Sequence, residues 1–119
     1  MLAEPERLGS RFRSIAADQD TELLLSAASS WEIAIKHSTG RLPLPEPPHL
    51  FVPRYLDQSG VRGLPVQHHH ALGVGQLAWH HRDPFDRLLV AQAQLEQLPL
   101  VTADPVFAAY QLELIPALD

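Results

Sequence analysis

Leu23-Leu24-Leu25 is a continuous apolar run rather than an alternating one, and a helix start follows it within a few residues. A strand with one face in water alternates apolar and polar side chains. A run without alternation has to be covered on both faces, as in a parallel sheet with helices above and below it. Leu98-Pro99-Leu100-Val101-Thr102 repeats the arrangement and runs into Asp104-Pro105. Leu64-Pro65-Val66 supplies a small strand after a turn marked by Gly60 or Gly63, and Leu112-Glu113-Leu114-Ile115 a last edge strand. Strands alternating with helices, without hairpin signals, predict an α/β fold: a three-layer α/β/α sandwich around a small parallel sheet.

Periodicity and punctuation place the helices. Residues 4 to 17 carry Leu8, Phe12 and Ile15 at helical spacing. Ser29 opens the next helix and Gly40 stops it, with Trp31, Ala34, Ile35 and Ser38 as its inward stripe. Residues 41 to 48 hold four prolines' worth of missing donors or fixed torsions and admit no regular element. A short helix runs through Leu50, Phe51, Tyr55 and Leu56, with Pro53 weighing against it, and one between His68 and Trp79 is loosened by Gly73 and Gly75. The central helix runs from Pro84 to about Gln97. Asp83 can cap it, Pro84 fits its first turn, and Leu88, Leu89, Val90 and Ala93 carry it into a core. Pro105 to Tyr110 reads as a short helical turn. At 119 residues, with 45% apolar side chains, residues 1–119 read as one domain with one core.

Composition removes several function classes. There is no cysteine, hence no disulfide framework and no thiolate metal site. No apolar run approaches the roughly 18 residues that a membrane helix needs, and the first residues lack the pattern of a signal peptide. A cytoplasmic protein with no membrane partner is the expectation. The formal charge of -5, with 14 acids against 9 Lys and Arg, argues against a non-specific nucleic-acid coat. It leaves room for an enzyme that gathers carboxylates around a metal while serving a polyanion. Lys36, Arg41, Arg82 and Arg87 would form a small basic rim.

Each acid has a structural reading beside a functional one. Ser29-x-x-Glu32 is a capping box, and Glu32 and Lys36 form an i,i+4 pair. Yet Glu32 also opens a helix directly after a buried strand, at the edge where parallel sheets bind ligands. Asp83 is explained by capping alone. Asp86 lies on or beside the buried stripe of Leu89, Val90 and Ala93, where a carboxylate costs desolvation unless donors or cations meet it. Asp104 is either a cap before Pro105 or a ligand leaving the sheet at the same edge, with Thr102 able to support a carboxylate or a water. Like charges gathered at one edge repel unless a cation joins them. Such a cluster suits metal-assisted hydrolysis with Mg²⁺ or Mn²⁺, which prefer hard oxygen ligands.

Other signals are weaker. His68-His69-His70 and His80-His81 match no zinc spacing, because adjacent side chains point different ways, and they read as exposed polar residues. The alternative for His80 or His81, close before the acidic helix, is contact with phosphate. Trp31 and Trp79 read as packing residues. Gly-rich phosphate loops, nucleophile elbows and basic–aromatic single-strand motifs are absent from the sequence.

Taken together, Leu23 to Lys36 with Gly40-Arg41-Leu42, His80 to Ala93, and Leu100 to Pro105 with Phe107 and Tyr110 resemble the PIN-domain family, in particular the VapC-type toxins of prokaryotic toxin–antitoxin pairs. The similarity runs from about Glu4 to Ile115 and is loose over residues 46 to 79. The resemblance implies a Mg²⁺-dependent endoribonuclease, a cognate antitoxin that places a tail in the active-site groove, an RNA substrate and a homodimer. Glu32 matches the family's second acid, Asp86 the third and Asp104 the fourth, with Asp83 as a supplementary acid. Lys36, Arg82, Arg87 and Thr102 are then candidates for contact with RNA. Family members open with an apolar strand that ends in a first catalytic Asp, whereas here Met1 falls where the following helix is ending. None of Glu4, Glu6, Asp18 or Asp20 follows an apolar strand. The expectation is an N-terminally truncated PIN-like fold, through a start assigned too late, an incomplete chain or a degenerate copy. It carries a second functional reading, a catalytically impaired binding protein that keeps antitoxin or dimer contacts.

Overall fold

β1 (Leu24–Ser26) is buried along its whole length in the computed structural model, which describes residues 22–79, 82–102, 107–108, 110 and 113–116. It pairs in parallel with β2 (Arg62–Leu64), Leu25 standing opposite Gly63. β3 (Leu100–Thr102) is equally buried and pairs in parallel with β4 (Leu114–Pro116), Val101 opposite Ile115. Full burial of both unalternating runs is what a sheet covered on two faces demands. β2 starts two residues earlier than its apolar residues suggested, and its Arg62 and Gly63 are exposed. Backbone pairing with β1, rather than side-chain burial, sets its register.

The helices lie on opposite faces of these strands. Around β1 and β2 run α1 (Ala27–Ser38) and α2 (Pro48–Ser59); α3 (His68–Gly73), a 3₁₀ turn over Val74–Gln76 and α4 (Pro84–Leu95) follow. One apolar cluster joins Ala28, Leu89, Val90, Ala93, Leu100, Phe107 and Tyr110. The other joins Leu25, Val52, Val61 and Val101, with Ile33, Phe51 and Tyr55 packed against it. Leu100 and Val101 are neighbours on β3 yet enter different clusters, as the period of two along a strand requires. α4 therefore covers one face and α2 the other, which gives the layered α/β arrangement.

Two local readings need correction, at α1 and α3, and one, at α2, holds in spite of its proline. The inward face of α1 is not Trp31, Ala34, Ile35 and Ser38, all of which are exposed. Ala28 and Ser29 are buried instead, with Glu32 and Ile33 half-buried one turn on; small side chains let α1 approach α4 closely, and residues four apart share a face. α2 continues through Pro53 for its full 12 residues. An interior proline costs about 3 kcal/mol; His49 and Pro53 are both exposed, so the cost carries no added penalty for a buried carbonyl without its donor. α2 stops at Gly60, whose φ of 71° is the left-handed cap geometry that glycine adopts without strain. The helix between His68 and Trp79 is shorter than its apolar pattern, tightening to 3₁₀ at Val74. The helix expected over residues 4 to 17 and most of the turn from Pro105 lie outside the described residues. No helix among the described residues is long and apolar enough to cross a membrane.

Candidate metal centre

α1 is capped by Ser26, not Ser29: the Ser26 hydroxyl accepts the Ala28 amide at 3.0 Å. That moves Glu32 from the third helical position to the sixth, too far along to reach back to the cap. The capping-box reading of Glu32 fails on this geometry. Glu32 is half-buried and accepts from Lys36 at 3.3 Å, so the i,i+4 pair does form. Ser29 is buried with its hydroxyl oxygen unpartnered.

At the head of α4, Asp83 caps as its position predicts, one oxygen accepting the amides of Phe85 at 2.9 Å and Asp86 at 3.1 Å. Pro84 occupies the first turn and Asp86 follows in it, half-buried. Trp31 of α1 meets Phe85 edge-on, with ring centroids 4.6 Å apart. This contact brings the second turn of α1 over the first turn of α4. Glu32, Asp83 and Asp86 consequently offer carboxylate oxygens that all lie within 4.8 Å of one another. Three acids from two helices, 51 or more residues apart in sequence between Glu32 and the others, share one half-buried spot. The partial positive charge at the start of α4 and the Lys36 ammonium offset part of their mutual repulsion. A hard, oxygen-seeking divalent cation suits this donor set; a soft or thiolate-seeking one does not.

The remaining candidates fall in different places. Asp104 lies outside the described residues, as do His80 and His81. Thr102 is buried at the end of β3. Arg82 is exposed just before α4. Arg87 is not on a basic rim: it is 3% exposed, and its guanidinium donates to the carbonyls of Ala78 at 2.9 Å and Val74 at 3.0 Å. It also stacks 4.1 Å from the centre of the Trp79 ring. Its helical position, one residue past Asp86 and three before Val90, turns it toward the segment after α3. Both tryptophans are more than half exposed.

A second group escaped sequence reasoning. His70 is buried, not an exposed polar residue, and Gln92 is fully enclosed. The Gln67 amide donates to His70 Nδ1 at 3.0 Å, so Nε2 carries the hydrogen and donates to Glu96 at 2.6 Å. That hydrogen bond, above all, holds the Glu96 carboxyl below its usual range, against the opposing effect of desolvation. His69, His70 and Glu96 come close enough to resemble a ligand set, but a metal on His70 Nε2 would need a hydrogen on Nδ1, where the Gln67 amide already points. Nothing in three consecutive histidines distinguishes the buried one. Gln92 did leave a signal, a lone amide within Leu88-Leu89-Val90-Ala91-Gln92-Ala93.

The PIN domain family model matches residues 1–112. Ribonuclease VapC16 of Mycobacterium tuberculosis (strain ATCC 25618 / H37Rv) is 47% identical over 58 residues, which cover 49% of this chain and 41% of that protein. The chain thus spans less than half the length of the curated relative it matches.

Proposed function

The chain belongs to the PIN-domain family, and on that premise we propose that it is a metal-dependent endoribonuclease, the toxin of a type II toxin–antitoxin pair. The observation that carries this reading is the meeting of Glu32, Asp83 and Asp86 within 4.8 Å at the head of α4. The 58-residue likeness to a ribonuclease supports it. Residues 1–119 act as one domain, in the cytoplasm, as a homodimer neutralised by a cognate antitoxin.

Glu32 and Asp86 would hold Mg²⁺ or Mn²⁺, with Asp104 completing the set directly or through water. When bound, the ion supplies an activated water and stabilises charge on the phosphate oxygens. The chain's own groups keep that site in order. Asp83 spends one oxygen on two amides of the first turn, which fixes Asp86 in place. Lys36 restrains Glu32 and, with exposed Arg82, draws the RNA backbone toward the carboxylates. Thr102, at the carboxyl end of β3, supports the ligand that follows it. Arg87 has no part in substrate contact, because its guanidinium is occupied inside the fold.

Mn²⁺ titration and cleavage of transfer or ribosomal RNA test the reading together. Asp86→Asn should abolish cutting and weaken Mn²⁺ binding while leaving the unfolding midpoint nearly unchanged. Equal cutting by that variant removes Asp86 from the chemistry. A wild-type chain that binds an antitoxin but neither Mn²⁺ nor RNA favours the impaired binding protein instead.

A further inference from the structure

Gln92 has no role in the chemistry above, yet a wholly enclosed amide is costly unless every polar atom is engaged. Its Nε2 donates to the carbonyl of Pro65 at 3.2 Å and approaches His70 Nδ1 at 3.3 Å. A carbonyl accepts only, so the Pro65 bond fixes which end of the amide is nitrogen. The oxygen is left facing Ser26, whose hydroxyl donates to it. Ser26 is itself fully buried and caps α1. One amide of α4 thereby grips the cap of α1.

The same two helices meet again at the carboxylates. Ser26 lies six residues before Glu32, and Gln92 six residues after Asp86. The helices run antiparallel, with one joint at Ser26–Gln92 and the other about 9 Å away at Glu32–Asp86. Between them sit Ala28, Leu89 and Val90 of the apolar cluster and the unpartnered Ser29 hydroxyl. Apolar contact is non-directional and tolerates sliding, whereas a hydrogen bond loses strength steeply with misalignment. We propose that Gln92 is a positioning residue: its bond to Ser26 sets the register of α1 against α4 and so the separation of Glu32 from Asp86. The inference rests on the metal reading of those carboxylates for its consequence in binding, and on packing alone for the register.

Gln92→Leu keeps the side-chain bulk and removes the bond. Well below its unfolding temperature, this variant should bind Mn²⁺ about tenfold more weakly, the loss typical when a group supporting a metal ligand is removed. Ser26→Ala should show the same loss, and Ser26→Thr, which keeps a hydroxyl, should retain affinity. Val52→Ala, in the other apolar cluster, lowers stability and should leave Mn²⁺ affinity unchanged, which separates register from general loosening. A metal-free arm uses the absence of native cysteine. Cysteines placed at the exposed Ala34 and Pro84, which leave the contact of Trp31 with Phe85 in place, should be joined by a bifunctional maleimide several-fold more slowly when Gln92→Leu is added. Unchanged Mn²⁺ affinity in Gln92→Leu overturns the proposal. A wild-type chain that binds no Mn²⁺ defeats the metal reading instead, and an unaltered cross-linking rate then overturns the register as well.

Discussion

Replacing Arg87 by Met deletes a guanidinium while keeping an unbranched stem of similar length. If Arg87 met RNA at an exposed rim, the variant would fold normally and bind substrate less well. In the structure Arg87 is 3% exposed, with two short hydrogen bonds to carbonyls of the segment after α3 and a third, at 3.4 Å, to Leu77. Hydrogen bonds from a charged donor contribute about 1.5 kcal/mol each at the low end of their range. The stacking on Trp79 adds about 0.5 kcal/mol, as expected for an exposed ring. The longest bond and the relieved burial of a charge roughly offset one another, so the loss should be about 3.5 kcal/mol. For a chain of this size the urea dependence is about 1.5 kcal/mol per molar, which places the midpoint about 2 M lower. Urea unfolding followed by circular dichroism reads this directly. Arg87→Lys, which cannot fork between two carbonyls, should fall between. A midpoint that stays put while RNA affinity drops would refute the assignment of Arg87 to the fold.

Two further outcomes separate the structure's readings from their rivals. Ser26→Ala removes a cap and strands the Gln92 oxygen, and should cost about 2 to 3 kcal/mol. Ser29→Ala deletes a buried hydroxyl without a partner and should be neutral or stabilising; the reverse order in thermal unfolding would restore Ser29 as the cap. Because the Glu96 carboxyl is held low in the folded state, its bond to His70 supports folding above the ordinary glutamate value of about 4.3 and loses that support as pH falls through the lowered folded value. Glu96→Gln should therefore melt below wild type at neutral pH and converge with it in acid; a gap that persists at the lowest pH would refute the account.

Much of the sheet could be read from Leu23-Leu24-Leu25 and Leu100-Val101, because burial on both faces leaves no room for alternation. The cap at Asp83 and the place of Asp86 were legible for a local reason: amides at a helix start need an acceptor within three residues. What was not legible depended on distant partners. The side of α1 that packs is chosen by α4, which accepts Ala28 and Ser29 and leaves Trp31 outside. Pro53 weighs against α2 in the sequence because the exposure of the carbonyl it deprives of a donor cannot be seen in a string of residues. Arg87 and His70 look like any surface cation or imidazole until the carbonyls and amides around them are placed. The proximity of Glu32 to Asp86 is an expectation from sheet topology; the contact of Trp31 with Phe85 and the bond of Ser26 to Gln92, neither visible in the sequence, accompany it in the fold.

That aromatic contact makes the chain optically legible. Trp31 and Trp79 are the two indoles in the sequence, and they sit in unlike electrical surroundings: one beside a phenyl ring at the carboxylates, the other under a guanidinium. Emission recorded with Trp79 replaced by Phe isolates an intrinsic fluorophore one residue from Glu32. Ion occupancy and helix displacement at the acids can then be followed in real time without attaching any dye.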